Sequence, residues 1–301
     1  MSSKSDLSSP CDLGYRPPRK EGNRVRGGGK GAGVGAPAVT LETEPGRESG
    51  KDPFGLDPAM RQLLLPAVRF LHDRYWRIEV SGADHLPAAG PALLLANHSG
   101  AIPFDGAMIV TAVELHRGRT LRFLYDRFVE NMGPVAAFYR KVGGAVASRE
   151  NALALLRAGE LVLLFPEGVP GVAKTFADRY RLQQFSSGFV RLAVALDVPV
   201  VPVAVVGAEE IYPVVGRAES VGRLLGVPYV PLTPFFPLLG LLGTIPLPTK
   251  WFIRFGKPLR LSVPEGEVRT QRARAEAAKV RRKVQAMVTR LTGRRQSIFF
   301  G

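Results

Sequence analysis

Short apolar runs alternate with longer helix-like stretches along most of this chain, and this alternation constrains the fold more than any other feature. The apolar runs cover residues 76–80, 92–96, 121–124, 145–147, 161–165, 198–206 and 251–255. The helix-like stretches lie near residues 57–75, 104–116, 125–140, 150–158, 184–196 and 265–292. This order predicts an α/β layered fold, with a central mostly parallel or mixed sheet flanked by helices. In such a fold we expect functional residues beyond the carboxyl ends of the strands.

Composition divides the chain into three parts. Residues 1–52 are rich in Gly, Pro, Ser and charged side chains, and they predict a disordered tail. The tail has no apolar core of the kind that a secretory signal needs. Residues 53–264 have the pattern of one globular domain, opened by a helix with Asp57 as its N-cap and Pro58 in its first position. Residues 265–301 predict a basic amphipathic helix and a short tail.

Charge and cysteine usage narrow the classes of function. The chain has 41 Lys and Arg against 26 Asp and Glu, a formal charge of +15, and a single cysteine. One cysteine excludes an internal disulfide and a cysteine-based zinc cluster, and it fits a reducing, cytosolic setting. The positive charge predicts a polyanionic partner: nucleic acid, anionic lipid or a phosphorylated substrate. Because no nucleic-acid motif and no pattern of interleaved aromatic residues is present, we predict no nucleic-acid partner.

Two segments are compatible with a membrane surface. Residues 265–301 hold 10 basic and three acidic side chains, and apolar residues recur at helical spacing from Val280 to Leu291. This helix either lies on an anionic leaflet or packs on the domain with its basic face in water. Residues 224–249 carry no charge but include six prolines and three glycines, which exclude a regular spanning helix. They form either an irregular connection packed on the core or an apolar surface that enters a bilayer.

His98 is the histidine in the strongest position for chemistry. It follows the apolar run 92–96 within Asn97-His98-Ser99-Gly100, and Asp105 comes shortly afterwards at a predicted helix start. An Asp in this place can orient an imidazole and stabilise its protonated form. The alternative is a structural turn histidine. We expect His72 and His116, which lie beside charged residues in helix-like stretches, to be solvated.

Three further blocks follow along the chain. Phe165-Pro166-Glu167-Gly168 comes at the end of a strand, where the turn projects Glu167 at the rim or leaves it as an exposed acid. Gly143-Gly144 precedes a short strand that ends in Arg149, a residue able to hold a phosphate. Residues 198–203 form a strand with two prolines, which predicts an edge strand or an interrupted ladder.

In this order the four blocks resemble those of the PlsC-type glycerolipid acyltransferase family, over roughly residues 75–260. The match is carried by Asn97, His98 and Asp105, by Gly143, Gly144 and Arg149, by residues 165–168, by residues 198–203 with Glu209 after them, and by Phe255-Gly256-Lys257-Pro258. The resemblance implies the family's layered fold and identifies residues 53–264 as an acyltransferase domain. Two departures mark a divergent subgroup.

The departures concern the first and third blocks. Six residues separate His98 from Asp105 where the family usually has four, so two extra residues must bulge out of the turn. Val169-Pro170-Gly171 stands where the family usually has Thr or Ser and an Arg. Nearby cations can substitute for that Arg, namely Lys174, Arg179 and Arg181.

The resemblance implies an O-acyltransferase that moves a fatty acyl group from acyl-CoA, or from acyl carrier protein, to a hydroxyl of a lysophospholipid or another glycerolipid. His98 is the implied general base and Asp105 its orienting partner, with no metal and no cofactor besides the thioester co-substrate. The implied partners are lipids and the anionic cytoplasmic face of a membrane, where the protein is peripheral or monotopic. The alternative is a catalytically silent lipid-binding relative. The implied substrate-binding residues are Asn97, Ser99, Gly144, Arg149, Glu167, Gly168, Lys174, Arg179 and Arg181.

Overall fold

The structure of the protein, a computed structural model, describes residues 52–99, 102–224, 226–227, 229–263 and 269–301. The predicted N-terminal tail therefore lies outside the described residues, apart from Asp52. Asp52 receives two hydrogen bonds from the fully buried guanidinium of Arg122, at 2.6 and 3.0 Å. Burial alone would raise the pKa of the Asp52 carboxyl, but the hydrogen bonds from Arg122 and from two backbone N–H groups outweigh it and lower that pKa.

All seven apolar runs become strands of one sheet. Strand β2 has the predicted bounds, and the ends of the others shift by at most a few residues. The strands of this sheet are β1 (Glu79–Ser81), β2 (Ala92–Ala96), β3 (Leu121–Tyr125), β4 (Gly144–Val146), β5 (Leu161–Leu164), β6 (Val200–Val206) and β9 (Phe252–Phe255). A separate two-stranded sheet, which the sequence did not predict, pairs β7 (Gly216–Ala218) with β8 (Val230–Leu232).

The order of the large sheet is β1-β9-β6-β2-β5-β3-β4. Every neighbouring pair is parallel except β6 and β9, which are antiparallel. The prediction of a mostly parallel or mixed sheet flanked by helices is confirmed. Because β2, β3, β4, β5 and β6 run the same way, their carboxyl ends form one edge, which we call the carboxyl edge.

Helices connect the strands and cover both faces of the sheet. They are α1 (Pro58–Phe70), α2 (Phe104–Arg117), α3 (Gly133–Lys141), α4 (Arg149–Arg157), α5 (Val169–Val172), α6 (Gly188–Ala195), α7 (Glu219–Leu224) and α8 (Arg269–Arg294). A π-helical turn, Leu71–Tyr75, continues α1. The predicted N-cap of α1 is confirmed, since the Asp57 carboxylate accepts hydrogen bonds from the backbone N–H groups of Ala59 and Met60.

Strand β2 shows how the sheet divides the core. All five of its residues are buried, and successive side chains point to opposite faces. Leu93 and Leu95 join a cluster with side chains from α4, α6 and α8. Ala92, Leu94 and Ala96 join a second cluster with side chains from α2. A strand covered on both faces has no polar side, which explains its continuous apolar run.

Strand β6 corrects the expectation of an edge strand, because it lies between β2 and β9. The alternative, an interrupted ladder, is found in the pairing of β6 with β9. Val200 pairs with Leu259 in an isolated bridge, while regular pairing starts at Val203 opposite Phe255, one residue out of step with that bridge. Pro202, which has no N–H to donate, lies at this shift and accepts a hydrogen bond from Gly256.

The two membrane-compatible segments lie differently in the fold. Helix α8 buries an apolar stripe in the core against β6 and α6, as an ordinary terminal helix does; the stripe consists of Ala273, Ala277, Val280, Val284, Val288 and Leu291. Residues 229–249 form β8, a 3₁₀ turn (Gly240–Thr244) and irregular connections with several exposed apolar side chains. Within the described ranges, none of the helices combines the length and the apolar character needed to cross a bilayer.

Candidate active site

His98 and Asp105 meet at the carboxyl edge. His98 follows β2, and Asp105 lies in the first turn of α2. The Nδ1 atom of His98 is 2.7 Å from Oδ2 of Asp105. The longer spacing between the two residues therefore does not separate them, although residues 100 and 101 of the connection lie outside the described part. A direct contact with a carboxylate gives the imidazole a fixed orientation.

Four hydrogen bonds converge on the Asp105 carboxylate, which is completely buried. Besides His98, the donors are the backbone N–H of Ser99 at 2.8 Å, its hydroxyl at 3.2 Å and the backbone N–H of Gly106 at 2.7 Å. The N-terminal turn of α2 adds the favourable end of a helix dipole. These donors stabilise a negative charge beside the imidazole. Ser99 supplies two of them and therefore supports Asp105.

The His98 ring is packed on one face and open at one nitrogen. The ring of Phe165 stacks on it, with centroids 4.0 Å apart and planes 17° from parallel. Gly171 closes in from α5, where a Cβ atom would lie 3.2 Å from the Cβ of His98. The side chain is 17% exposed, and its Nε2 atom has no hydrogen-bond partner in the described part of the chain. The free nitrogen is thus available to a substrate.

Glu167 corrects a second expectation, since it is buried, with 2% of its surface exposed, rather than projecting at the rim. Its Oε1 accepts the backbone N–H of His98 at 3.0 Å, and its Oε2 accepts the backbone N–H of Gln183 at 2.6 Å. Glu167 therefore contacts His98 directly, through its backbone. Gly168, with φ of 58° and ψ of −151°, makes the turn that directs the carboxylate inward.

Lys174 joins Glu167 to Glu209 in a buried charged cluster. Its ammonium is 2.9 Å from Oε1 of Glu209 and 3.6 Å from Oε2 of Glu167. The other oxygen of Glu209 accepts the backbone N–H of Tyr180 at 2.8 Å. Burial raises the pKa of Glu209, and the charge and hydrogen bond of Lys174 oppose that shift without cancelling it. Lys174 is therefore a buried ion-pair partner of two carboxylates and does not face a substrate.

Two more of the expected substrate-binding residues occupy structural positions. The Asn97 side chain is completely buried and extends the β2–β6 ladder, with hydrogen bonds to the N–H and the C=O of Val205 at 2.8 and 3.0 Å. Gly144 is packed so closely that a Cβ atom would lie 2.8 Å from the ring of Phe123. Both residues are packed inside the protein and do not face an open space.

Arg149 is the expected binding residue with the most freedom. It begins α4, after Ser148 caps the helix by accepting the N–H of Asn151. Its side chain is exposed and forms no ion pair or hydrogen bond with another described residue. Strand β4 is three strands from β2, so Arg149 begins roughly 14 Å along the carboxyl edge from His98.

Arg179 and Arg181 line an open cavity of about 430 Å³ beside the C-terminal end of α8. Arg179 lies over the ring of Phe176 at 4.2 Å, and its Nε atom is 3.8 Å from Glu210. Arg181 is largely exposed, with Asp178 3.9 Å away. The buried Glu210 pairs with Arg295, a contact that the sequence did not suggest. Both predicted cations therefore line the same open cavity, whereas Lys174 is buried.

His72 was expected to be solvated, and that expectation is wrong. Its side chain is buried, and its Nδ1 atom is 2.7 Å from Oδ1 of the neighbouring Asp73. His116 is exposed as expected. Sequence reasoning also missed Phe165 as the ring that stacks on His98, and Gln183 as the partner of Glu167. Phe165 belongs to a recognised block, but nothing in the sequence near Gln183 indicates its backbone contact.

Comparison with known proteins places this geometry in a family. Residues 77–206 match the family described as Acyltransferase, a stretch that includes His98, Asp105, Arg149 and Glu167. An uncharacterized protein of Mycobacterium leprae is 42% identical over 264 residues, which cover 83% of this chain and 70% of that protein. A human protein named DGAT1/2-independent enzyme synthesizing storage lipids is 30% identical over 132 residues, 44% of this chain and 40% of that protein.

A solved structure supports the fold independently. The crystal structure of the 1-acyl-sn-glycerophosphate (LPA) acyltransferase PlsC from Thermotoga maritima matches with a TM-score of 0.51 and 19% sequence identity. The match covers 79% of this chain and 83% of that chain. At this identity the likeness concerns the path of the backbone alone. The sequence matches show that this chain belongs to the acyltransferase family, and the likeness to the solved structure agrees in fold.

Proposed function

We propose that this protein is a membrane-associated O-acyltransferase that moves a fatty acyl group from a thioester of coenzyme A, or of acyl carrier protein, to a hydroxyl of a lysophospholipid or another glycerolipid. The observation that carries the proposal is the 2.7 Å contact between His98 Nδ1 and Asp105 Oδ2 with Nε2 left free. The names of its relatives support a lipid acceptor, since they include an enzyme synthesizing storage lipids and a phytyl ester synthase.

His98 acts as the general base in this proposal. An Nδ1–H that donates a hydrogen bond to the Asp105 carboxylate leaves the lone pair on Nε2, and this lone pair removes the proton from the acceptor hydroxyl. The oxygen then attacks the thioester carbonyl, so that a C–O bond forms and the C–S bond breaks. The departing thiolate then takes this proton from the imidazolium, which restores the neutral His98. No covalent enzyme intermediate and no metal is needed, because the thiolate is itself a good leaving group.

Asp105 and its donors stabilise the imidazolium that forms during the transfer. The carboxylate lies beside Nδ1, and Ser99 and Gly106 keep it in place. Glu167 and Phe165 act as positioning residues, because one holds the backbone of His98 and the other stacks on its ring. Pre-organisation of this kind lowers the barrier by avoiding rearrangement at the moment of reaction.

The substrate-binding roles are assigned by exposure. Arg149 and Arg181 are exposed, and the half-buried Arg179 lines the same open cavity as Arg181; we assign the phosphates of the substrates to these three guanidinium groups. Asn97, Ser99, Glu167, Gly168 and Lys174 support the site from inside, and Gly144 packs in β4. Two cations that follow the altered third block in the sequence, Arg179 and Arg181, have access to solvent and can replace the missing Arg.

The alternative of a catalytically silent relative arose from the longer spacing between His98 and Asp105. The contact between the two side chains removes that motive, since the carboxylate reaches the imidazole. We therefore keep the enzyme as the proposal.

Thiol release from long-chain acyl-CoA tests the proposal. Purified wild type and His98→Ala are compared over a panel of acceptors that includes lysophosphatidic acid and neutral acceptors such as diacylglycerol. We expect turnover by the wild type with at least one acceptor, and a loss of about 10²–10⁴-fold in the variant. Equal turnover by both proteins would exclude His98 as the base, and no turnover with any acceptor or donor would favour the silent relative.

A further inference from the structure

An apolar protrusion lies beside the carboxyl edge. It is formed by residues 234–245, which we call the apolar loop. Four of its side chains have most of their surface in solvent: Leu238 is 82% exposed, Leu242 70%, Ile245 58% and Leu239 52%. The 26-residue run 224–249 that contains the loop has no charged residue. Isolated exposed leucines are ordinary on a protein surface, but a cluster of this size indicates an interaction surface.

The backbone of the apolar loop is largely satisfied within the loop itself. The Thr233 hydroxyl accepts the N–H groups of Phe235 and Phe236, and the N–H groups of Leu239 and Leu242 bond to carbonyls three or four residues earlier. Pro234 and Pro237 have no N–H to satisfy. A backbone that needs little water can enter a low-polarity medium at small cost, because unpaired polar groups are what make such entry unfavourable.

The apolar surface continues onto α1. The ring of Phe70, at the end of that helix and exposed, lies 6.4 Å from the ring of Tyr75. The Tyr75 hydroxyl donates a hydrogen bond to the carbonyl of Pro246, next to Ile245. Leu63 is exposed seven residues before Phe70, on the same face of the helix. Helix and loop thus present apolar side chains on adjoining surfaces.

This surface borders the candidate active site. Trp76, which follows Tyr75, packs edge-on against Phe104 with centroids 5.1 Å apart, and Phe104 directly precedes Asp105. From the other direction, the Tyr229 hydroxyl of the β7–β8 region bonds to the carbonyl of Val172 in α5, the helix that packs on His98. Direct packing therefore connects the two segments that flank the apolar loop with α2 and α5, the helices that contact Asp105 and His98.

The charges of the neighbouring segments favour an anionic bilayer over a protein partner. In residues 58–75 the exposed charged side chains are Arg69, Arg74 and Asp73, and in residues 216–224 they are Arg217, Arg223 and Glu219. Helix α8, the most basic element, has its apolar stripe in the core and has no such side chains to insert.

We propose that the apolar loop, with the exposed face of α1, inserts into the surface of an anionic phospholipid bilayer and holds the carboxyl edge against it. Helix α8 is not the membrane-binding element. The inference deepens the proposed function by naming the surface through which lipid substrates reach His98. The binding itself needs no catalysis, so the two proposals can fail separately.

Vesicle co-sedimentation of the full chain tests this assignment, with vesicles of phosphatidylcholine and phosphatidylglycerol. We expect Leu238→Ser/Leu239→Ser/Leu242→Ser to bind at least tenfold more weakly than the wild type. The matched control is Arg282→Ala/Lys283→Ala on the exposed face of α8, for which we expect less than a twofold change. Unchanged binding by the leucine variant, or loss of binding by the α8 variant alone, would overturn the proposal.

A gain of signal complements the loss of binding. Both native tryptophans are buried, so Leu238→Trp places one exposed indole in the loop. We expect its emission to shift to shorter wavelength when vesicles are added, and an unshifted spectrum at saturating vesicles would contradict insertion. Sedimentation equilibrium of the wild type and the leucine variant tests whether the loop binds a second copy of the chain. A dimer that only the wild type forms would assign the loop to that second copy and overturn the proposal. Vesicle binding without acyl transfer would leave this inference standing while the proposed function fails.

Discussion

Two clusters of ionisable side chains lie at the carboxyl edge of the sheet, and they differ in what they leave free. In the pair His98–Asp105, the carboxylate is buried but the imidazole keeps one nitrogen without a partner and in reach of solvent. In the cluster Glu167–Lys174–Glu209, all three side chains are almost completely buried and bonded to one another or to backbone. The difference teaches that nearness to the edge does not identify a reacting group, whereas a free, oriented proton acceptor does.

The largest effect is expected from a substitution that disrupts the buried cluster. Lys174→Met removes the cation and leaves the carboxylates of Glu167 and Glu209 buried without it. We expect the free energy of unfolding to fall by about 3–5 kcal/mol, as when one partner of a buried ion pair is lost. Denaturant unfolding measures this change. Arg181→Met is the matched control, since its side chain is exposed and its loss should cost little.

The same variant carries a pH dependence with a definite sign. Burial raises the pKa of Glu209 above the ordinary 4.5, so the native state binds its proton more readily than the unfolded state. The stability linked to this group is present below pH 4.5 and is lost as pH rises through the native pKa. Removal of Lys174 raises that pKa further. Lys174→Met should therefore be destabilised more at pH 8 than at pH 5, and the opposite order would contradict a charged cluster.

The next effect concerns the reacting pair. Asp105→Asn keeps the size of the side chain but can turn an NH₂ group toward His98, which favours the tautomer with the proton on Nε2. We expect kcat to fall about 10²-fold. We also expect about 1–3 kcal/mol of lost stability, because the NH₂ group then faces the backbone N–H of Ser99 or of Gly106. Ser99→Ala, which removes only the 3.2 Å hydroxyl bond to Asp105, serves as the control and should fall less than tenfold. Equal losses in both variants would contradict the orienting role of Asp105.

A smaller effect tests the link between the two clusters. Glu167→Gln replaces one of two acceptors, which receive the N–H groups of His98 and Gln183, by a donor. We expect kcat to fall about tenfold with the KM for acyl-CoA unchanged, because the His98 backbone loses its support. We also expect about 1–3 kcal/mol of lost stability from the unpaired group. A rise in KM alone would assign Glu167 to substrate binding instead of positioning.

The smallest expected effect concerns Arg149, a residue that belongs to neither cluster. Arg149 is exposed and unpaired within the described structure, so its loss should leave stability unchanged. We expect Arg149→Ala to raise the KM for a phosphate-bearing acceptor three- to tenfold, and to leave the KM for a neutral acceptor as it is. Equal changes for both acceptors would remove the proposed phosphate contact.

Sequence patterns predicted the parts of the molecule that depend on local composition. The apolar runs located all seven strands of the main sheet, because strands covered on both faces need apolar residues throughout. They missed β7 and β8, which are three-residue strands in Pro- and Gly-containing sequence with no buried side chain to set a pattern. The position of His98 after β2 followed from the same rule.

Burial of charged side chains was beyond the reach of the sequence. Glu167 and Lys174 carry charges that composition assigns to the surface, and their burial depends on partners from other segments, namely Glu209 and the backbone of His98. The same holds for His72, which packs beside its neighbours at the π-helical turn after α1. Helix α8 is amphipathic in either environment, so only its packing against β6 could decide between the core and a membrane.

The central claim is that His98 acts in the chemical step while the buried cluster supports it. A single-turnover measurement of acyl transfer, made on wild type and His98→Gln together with the unfolding free energy of each, tests this most directly. We expect the variant's transfer rate to be lower by about 10²–10⁴-fold while its unfolding free energy stays within about 1 kcal/mol of the wild type. A single-turnover rate equal to that of the wild type would contradict it.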